Sequence, residues 1–495
     1  MLLHKLHKVL KQQRRGGEGT EHSFSPPPPL WRRVMRHERI RISRWTHRFE
    51  RNGVTAILNS ISLGLVFVSS ETAQLLFDYL RTPAPMDQAS AYLGADLIDA
   101  LTKEGVIVAE ELDDEVYLSD FREKLLREST VELMYLLVTD HCNLRCTYCF
   151  EEAPAMDKPF APVHMSEEVA SRAVSLFGQM AKRYGSPDKK KTIHLYGGEP
   201  LMNKTVVRAS VLQIRDFGKR GILPDNCEIA IVTNGMFLDD ATVKFFVENG
   251  VTVGLSLDGP GWMNNAYRLP KRDGVDVFRE VKKSLGLLKD NGAKIGLSVA
   301  LTPLAIEHFP ELLDFLLGEM GGVDGVSLNL LHYNRNVVPP PDYYVRAAQC
   351  QLAAFERFRE LGIYEERVMR KAKAFIDRRP LYADCGVIGN QLVIAPDGRI
   401  GVCQDFVKPR TYFQGNVLDP DPDPVADGLF RDWRRRSPFF MEQCFGCEAI
   451  GICGGGCPAS AELKTGSRWN LDERACPHSK LTLEWLVWET CAKLS

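Results

Sequence analysis

Three cysteines lie close together in the first half of the chain. Cys142 and Cys146 are separated by three residues, and Cys149 follows after two more. Three thiolates on one tight loop can hold three corners of a cubane iron–sulfur cluster, which leaves the fourth iron open to another molecule. A structural zinc site takes four protein ligands, and the nearest candidate, His141, directly precedes Cys142 and is badly placed to complete one. The spacing predicts an iron–sulfur site with one open iron.

Seven further cysteines gather towards the C-terminus. They are Cys385, Cys403, Cys444, Cys447, Cys453, Cys457 and Cys476. Seven thiolates are too many for one four-ligand site and one short of two, so their number suggests two metal sites, one of which lacks a cysteine. Spacing alone does not separate zinc from iron–sulfur, but the first cluster favours iron over a pair of zinc-ribbon-like sites. Cys227, Cys350 and Cys491 are interpreted as buried or inert thiols.

The composition indicates the cellular compartment in which these cysteines function. The chain has 495 residues, 13 of them cysteine, and a formal net charge of −2. This charge gives no reason to expect nucleic-acid or membrane binding, and no apolar run is long enough to span a membrane. Disulfide-rich secreted domains are usually short and carry a signal peptide, whereas no apolar core follows the basic N-terminus here. We expect a cytoplasmic protein whose clustered cysteines bind metal.

Residues 130–335 alternate between strand and helix patterns. The predicted strands are Leu133–Thr139, Thr192–Tyr196, Glu228–Thr233, Val251–Leu257, Ile295–Leu301 and Gly325–Leu330, and the helices between them include Glu167–Tyr184, Asp239–Glu248 and Val275–Lys289. This alternation implies an α/β fold with a parallel sheet and right-handed crossovers. Six such units suit an open, partial (β/α)6 barrel. Ligands in such folds lie at the carboxyl ends of the strands.

The segments outside the barrel have other patterns. Residues 1–51 are basic and contain four consecutive prolines, Pro26 to Pro29. We interpret them as a disordered extension, or as an over-long gene start with Met35 as the true first residue. Residues 336–384 are predicted to be a helical linker. Residues 385–495 are predicted to be a loop-rich domain held together by metal.

Residues 52–125 are predicted to form a small winged-helix-like α/β unit. The expected elements are a β-like segment Ala56–Val68, helices Glu71–Leu80 and Asp96–Glu104, a strand Val106–Val108 and a pairing wing Glu115–Leu118. Gly105 is placed as the residue that ends the second helix. A plain packing domain is the alternative interpretation.

The first cysteine loop resembles the radical SAM signature, in which an aromatic residue precedes the third cysteine; Tyr148 fills that place. Other family motifs end the next predicted strands in order. They are Tyr196-Gly197-Gly198-Glu199-Pro200, Thr233-Asn234-Gly235 and Ser256-Leu257-Asp258-Gly259-Pro260, with Arg268 ten residues after Asp258. The resemblance covers roughly residues 130–480. It implies a [4Fe-4S] cluster whose open iron binds S-adenosylmethionine (SAM), and a 5′-deoxyadenosyl radical that abstracts hydrogen from a substrate.

The resemblance also implies a set of SAM-binding residues. They are Gly197, Gly198, Glu199, Pro200, Asn234, Ser256, Asp258 and Arg268. Glu199 would accept hydrogen bonds from the SAM amino group, next to glycines that allow close backbone approach. Ser256 and Arg268 would meet the ribose hydroxyls and the carboxylate. Family members often carry His-Asp where this chain has Asn264-Asn265, so a proton relay at that pair is not expected.

The second cysteine group is similar to the SPASM domain that follows radical SAM barrels in peptide-modifying enzymes. By that resemblance, Cys444, Cys447, Cys453 and Cys476 hold auxiliary cluster II, and Cys385, Cys403 and Cys457 hold auxiliary cluster I, which gives three [4Fe-4S] clusters in all. Some relatives supply an extra cysteine shortly before the equivalent of Cys385, where this chain has Arg379. Cluster I would then keep an open iron, or take Asp384 or Cys350.

The two resemblances together imply a radical enzyme that acts on a peptide or protein. The winged-helix-like unit favours maturation of a ribosomally synthesised peptide. Its leader would bind as an added strand along Ala56–Val68 or Val106–Val108, and a flavodoxin or ferredoxin would supply electrons.

Two alternatives remain open. Anaerobic sulfatase maturases use an aspartate directly after the second SPASM cysteine as catalytic base, but Gln404 follows Cys403 here and Asp405 comes one place later. On an extended segment this offset turns the side chain to the opposite face, so Asp405 is a candidate base by proximity only. A non-catalytic peptide-binding metalloprotein is the third hypothesis, which the intact cysteine and glycine motifs oppose.

Overall fold

The computed structural model describes residues 39–127, 130–150, 161–186, 189–319, 321–333, 337–426 and 428–494. The proline run of the expected N-terminal extension therefore lies outside the described residues. Residues 39–51, which we assigned to that extension, instead form two strands. Their side chains explain the difference, because Ile40 and Trp45 are fully buried and hold this segment in the fold.

The N-terminal unit contains two small sheets and four helices. Its elements are β1 (Arg39–Ile42), β2 (Thr46–Arg51), β3 (Val54–Asn59), β4 (Gly64–Ser69), α1 (Ser70–Tyr79), β5 (Ala84–Pro85), α2 (Met86–Leu93), α3 (Ala95–Lys103), β6 (Ile107–Ala109) and α4 (Val116–Arg127). One antiparallel sheet has the order β2-β3-β4 and the other β5-β1-β6. Gly105 follows α3 with φ +75°, as predicted for a helix-ending glycine.

The predicted β-like segment Ala56–Val68 is a hairpin of β3 and β4. One prediction for this unit is wrong. The expected wing at Glu115–Leu118 is the start of α4, because Tyr117, Phe121 and Leu125 repeat at helical spacing and are buried.

A ten-stranded sheet forms the centre of the molecule. Its strands are β7 (Leu133–Leu137), β8 (Thr192–Tyr196), β9 (Glu228–Thr233), β10 (Val251–Ser256), β11 (Ile295–Leu301), β12 (Gly325–Leu330), β13 (Tyr364–Glu365), β14 (Gln391–Ile394), β15 (Arg399–Gly401) and β16 (Phe413–Asn416), in the spatial order β13-β12-β11-β10-β9-β8-β7-β14-β15-β16. The strands from β7 to β12 are parallel and adjacent in chain order. Since β7 pairs with β14 rather than with β12, this six-stranded section stays open, as the predicted partial barrel requires.

Helices cover one face of the parallel strands. They are α5 (Glu167–Tyr184), α6 (Lys204–Lys219), α7 (Asp240–Glu248), α8 (Gly261–Tyr267), α9 (Val277–Asp290), α10 (Pro303–Glu307) and α11 (Phe309–Glu319). Ile193 and Leu195 of β8 share a buried core with Val174 and Phe177 of α5. Alternate residues such as His194 face the other side, which is only partly buried and lines the interior of the barrel.

In the described ranges, the C-terminal part carries six α-helices and the second cysteine group. The helices are α12 (Tyr343–Glu360), α13 (Glu366–Ile376), α14 (Gly428–Trp433), α15 (Ile450–Cys453), α16 (Pro458–Thr465) and α17 (Ala475–Ala492). Leu58 of β3 packs in one cluster with Phe375, Leu483 and Leu486, so the N-terminal unit rests on this part of the chain. Within the described ranges, no helix has the length and apolar character needed to cross a membrane.

Candidate active site

The first cysteine loop follows β7 and is held against the segment after α8. Backbone N–H groups of Arg145 and Thr147 donate to the carbonyl oxygens of Leu269 and Tyr267 at 2.8 and 3.0 Å. These bonds bring residues 267–271, which follow the fourth barrel strand, against the Cys142–Cys149 loop. The carboxyl ends of distant strands therefore meet at these cysteines, as the fold argument predicts.

Gly197 and Gly198 let the end of β8 lie directly on the chain that leads into Cys142. Gly198 donates to the Thr139 carbonyl at 2.9 Å. Gly197 has φ +135°, and a Cβ on either glycine would overlap the carbonyl oxygen of Thr139 or of His141. Only glycine fits at both positions without moving the cysteine loop.

The Glu199 carboxylate ties two strand ends together. Its Oε1 accepts from the Thr233 hydroxyl at 2.6 Å and its Oε2 from the Asn234 backbone N–H at 2.8 Å. Burial raises the pKa of Glu199, and these hydrogen bonds oppose that rise. A buried carboxylate next to the cysteine loop suits an ammonium partner, and its contact with the SAM amino group stays a prediction.

Asn234 is the second link to the cysteine loop. Its amide nitrogen donates to Asn143 Oδ1 at 2.8 Å and lies 4.0 Å from the Sγ of Cys142. Asn143 also binds the strand-end region through its own side chain, at 3.2 Å from the Met236 sulfur. The predicted Thr233-Asn234-Gly235 motif thus positions the first cysteine.

Asp258 and Arg268 are both buried and bind each other below the cysteine loop. Arg268 Nε donates to Asp258 Oδ2 at 2.8 Å, and the Tyr148 hydroxyl donates to the same oxygen. Burial raises the pKa of Tyr148 well above its ordinary value. In the structure Arg268 therefore has Asp258 as its ionic partner, and its expected contact with SAM stays a prediction. Ser256 ends β10 on the partly buried side of the sheet, paired with Ser298.

The barrel interior holds polar groups that the sequence analysis missed. The Tyr135 ring lies 5.0 Å from His194 and 5.9 Å from Tyr196, and burial lowers the pKa of His194 to about 4. Across the interior, the Arg367 guanidinium donates to Asn329 Oδ1. The sequence does contain a signal for these groups, because polar residues at alternate positions of otherwise apolar strands indicate that one face of the sheet contacts solvent or ligand.

The C-terminal cysteines fall into two groups in space. In the first, burial and the neighbouring thiols Cys453, Cys476 and Cys447 raise the pKa of Cys444 to about 12. In the second, burial, Asp405 and the thiols Cys457 and Cys385 raise the pKa of Cys403 well above its ordinary value. These are the two predicted ligand sets.

A turn of three glycines joins the two groups. Gly454, Gly455 and Gly456 all have φ between +70° and +78° and connect Cys453 of one group to Cys457 of the other. A Cβ at Gly454 would overlap the backbone of Asp384, and one at Gly456 would overlap Asp472. Glycine is required here because the turn is left-handed and closely packed.

Both groups fit a positively charged iron–sulfur core. Burial, together with the neighbouring thiols, raises the pKa of Cys403 and of Cys444, and the positive charge of an iron–sulfur core would stabilise the thiolates. Asp384 is turned away from this role, since its Oδ1 lies 3.4 Å from Arg370 and 4.0 Å from Lys371. Cys350 lies on α12, and burial raises its pKa to about 11 with Arg346 as a neighbour. Asp384 therefore has two cationic partners of its own beside the second group.

Asp405 does face the second group. Residues 404–406 form a 3-10 turn, so the extended segment assumed in the sequence argument is absent, and the one-residue offset does not turn Asp405 away. Its Oδ2 accepts from the Cys457 thiol at 3.8 Å and lies 3.3 Å from His332 Nδ1. The ligand atoms of His332, Asp405 and Cys457 all lie within 4.8 Å of one another.

Residues 136–316, which contain the first cysteine loop and the strand-end motifs, match the family model of the radical SAM superfamily. This chain contains a radical SAM domain. Its C-terminal cysteine-rich region fits a SPASM-like domain.

Curated relatives of this chain are named for different activities. The chain is 24% identical to "Radical SAM cyclopropyl synthase TigE" of Paramaledivibacter caminithermalis, over 79% of this chain and 82% of that protein. It is 23% identical to the "Cysteine-type anaerobic sulfatase-maturating enzyme" of Clostridium perfringens, over 67% and 90%.

Solved structures share the fold. "Native anSMEcpe with bound AdoMet" matches with a TM-score of 0.61 and 18% identity, over 74% of this chain and 98% of that one. Streptococcus suis SuiB "bound to precursor peptide SuiA" matches with a TM-score of 0.52 and 15% identity, over 88% of this chain and 99% of that one.

Proposed function

We propose that this radical SAM enzyme matures a ribosomally synthesised peptide by abstracting hydrogen from it. One spatial relationship carries the proposal. Phe150 directly follows Cys149, and its ring lies 5.3 Å from His332, which in turn reaches Asp405 and Cys457. The loop that would generate the radical and the second cysteine group are therefore linked through the Phe150–His332 contact. A peptide segment placed there would contact both.

When bound, the cofactors would supply a radical that abstracts hydrogen and would transfer electrons. The protein positions the cofactors and the substrate. Cys142, Cys146 and Cys149 would hold the SAM-binding [4Fe-4S] cluster. Gly197, Gly198 and Glu199 offer SAM a close backbone and a buried acceptor. The C-terminal cysteines would hold two auxiliary [4Fe-4S] clusters, and a flavodoxin or ferredoxin would be the reductant.

The N-terminal unit offers a strand edge for a leader peptide. β3 lies in the middle of its sheet, so it is not the open edge. β4 is an edge strand with a mostly half-buried face, and β6, the other candidate, is fully buried. Leu65 N–H points away from β3, since it donates to Glu104 Oε2 at 3.3 Å, and by alternation Phe67 presents its N–H on the same side. We assign β4 as the strand that a leader would extend. The SuiB match, which covers more of this chain than the anSMEcpe match does, supports a shared unit here.

The direct experiment is anaerobic co-expression with any short open reading frame that lies beside the gene. Mass spectrometry of the peptide should show a modification with the unchanged enzyme. The Cys142→Ala/Cys146→Ala/Cys149→Ala variant should give none, while Cys350→Ala, a cysteine outside both groups, should keep it. Full modification by the triple variant would contradict radical chemistry, and no modification by the unchanged enzyme would favour the non-catalytic hypothesis for this chain.

Sulfatase maturation is the second candidate, because the Asp405 carboxylate points towards Cys457 and accepts a hydrogen bond from its thiol. A peptide with the Cys or Ser context of a sulfatase active site separates the two functions. Formylglycine formed on that peptide, with no change to the neighbouring gene's peptide, would favour the maturase.

A further inference from the structure

We propose that His332 is the fourth protein ligand of the group formed by Cys385, Cys403 and Cys457. The inference rests on the proposed auxiliary cluster I, and it replaces the open iron, Asp384 and Cys350 as ways to complete that site.

The position of the His332 ring is the first support. A ring nitrogen lies within 4.8 Å of both the Cys457 thiol and an Asp405 carboxylate oxygen. Its Nδ1 is buried and makes no hydrogen bond to any residue that the structure describes, although Asp405 Oδ2 is 3.3 Å away. A buried polar atom without a partner costs free energy, and an iron at this site would give the imidazole one.

Charge makes His332 a better fourth ligand than its neighbour Asp405. The Asp405 carboxylate accepts a hydrogen bond from the Cys457 thiol at 3.8 Å. Cluster binding removes the thiol proton, so an Asp405 carboxylate on the next iron would add negative charge beside three thiolates. A neutral imidazole adds none. Histidine replaces cysteine as an iron ligand in Rieske centres.

The nearby cation does not offset a fourth anionic ligand. Arg474 already forms a two-point ion pair with Asp472, with Nε–Oδ1 and Nη2–Oδ2 both at 2.9 Å. The Asp472 Oδ2 also accepts from the Cys457 backbone N–H at 2.8 Å. The positive charge of Arg474 is therefore committed to Asp472, which favours a neutral ligand at this site.

The placement has a consequence for how cluster I works. Because Phe150 packs on the His332 ring, the imidazole lies on the side of the site that faces the SAM-binding loop. A histidine there closes the cluster towards the space where the peptide would lie. Cluster I then exchanges electrons with the substrate and does not bind the peptide as a ligand.

Pulsed electron paramagnetic resonance on protein labelled with ¹⁵N-histidine tests this directly. The full-length Cys142→Ala/Cys146→Ala/Cys149→Ala protein, reconstituted and reduced, keeps only the auxiliary clusters. We expect the strong nitrogen coupling of an imidazole bound to iron. His332→Gln should abolish it, and His308→Gln, whose side chain is 38% exposed on the surface, should retain it.

Three results are decisive. A labelled protein without strongly coupled nitrogen, or a coupling that survives His332→Gln, overturns the assignment even where about eight irons per chain are present. About four irons in the triple variant, where two cubane clusters require about eight, would instead remove auxiliary cluster I and with it that part of the proposed function. Should His332→Gln fail to fold, the labelled protein with His332 intact decides the matter alone.

Discussion

Arg268 and Asp258 form a two-point ion pair beneath the Cys142–Cys149 loop, with Nε–Oδ2 at 2.8 Å and Nη2–Oδ1 at 3.1 Å. The same carboxylate accepts from the Tyr148 hydroxyl and from the Ala300 backbone N–H. Because Tyr148 directly precedes Cys149, Asp258 connects two later strand ends to the third cysteine. The side chains are only 9% and 1% exposed, so the pair is shielded from solvent.

We expect Asp258→Asn to destabilise the protein and to slow SAM cleavage. The change leaves the buried Arg268 charge without its partner, which costs roughly 3–5 kcal/mol in such settings. Anaerobic urea unfolding of the reconstituted protein measures the first effect and 5′-deoxyadenosine formation the second. Asp240→Asn, which removes an exposed pair with Lys244, is the matched control, and equal unfolding midpoints for the two variants would contradict the prediction.

Gly198→Ala should disrupt the SAM site without any change of charge. Its Cβ would overlap the His141 carbonyl, so the chain that carries Cys142 must move. We expect weaker SAM binding and less iron at the SAM-binding cluster, measured by iron content and SAM titration. Gly286→Ala on α9, where a Cβ meets nothing within 4 Å, adds the same methyl group and should behave as the unchanged enzyme. Normal SAM affinity in Gly198→Ala would refute the close-approach argument.

The barrel could be predicted from sequence because its signals are local. Thr192–Tyr196 and Gly325–Leu330 are short apolar or β-branched runs between helix patterns, and the structure has both strands with the predicted bounds. The spacing of the cysteine motifs indicates their chemistry, so the radical SAM domain could also be predicted from the sequence.

Long-range pairing was not accessible. Nothing near Gln391 indicates that β14 pairs with Leu133 of β7 in the central sheet. The place of His332 beside Asp405 depends on a chain that returns to the barrel after about seventy residues. The direction of the Asp405 side chain was predicted wrongly, because an extended segment was expected where the chain makes a 3-10 turn. Such contacts depend on tertiary packing, which overrides local pattern.

Glu365→Gln should stabilise the protein more at high pH than at low pH. Burial raises the pKa of Glu365 to about 7, and the N–H groups of Val368 and Arg367 oppose the rise. The folded state then holds a proton that the unfolded state releases near 4.5, so the stability that Glu365 contributes is present below about 4.5 and is lost as the pH rises through about 7. Glutamine keeps one of the two oxygens that cap α13 and does not titrate.

The measurement is the difference in unfolding free energy between Glu365→Gln and the unchanged protein at about pH 6 and about pH 8. We expect the difference to grow in favour of glutamine by roughly 1–2 kcal/mol. The exposed Glu311→Gln serves as control. A difference that does not change with pH would show that Glu365 does not titrate in this window.

Phe67→Pro should weaken leader binding to the N-terminal unit. Proline removes the N–H that β4 presents away from β3, and so removes a main-chain bond to an added strand. Phe67→Ala loses the same ring, which packs with the cluster around Leu58, but keeps the N–H. Fluorescence polarisation with a labelled leader should show clearly weaker binding for proline than for alanine, while SAM cleavage without peptide stays equal. Equal leader affinities would exclude β4 as the docking edge.

The central claim is that this enzyme uses SAM to take hydrogen from a peptide. Its most direct test is isotope transfer in an anaerobic reaction with reductant, SAM and a fully deuterated peptide encoded beside the gene. The account predicts deuterium in the 5′-deoxyadenosine and a modified peptide of matching yield, both abolished by Cys142→Ala/Cys146→Ala/Cys149→Ala. A modified peptide with 5′-deoxyadenosine free of deuterium would contradict it.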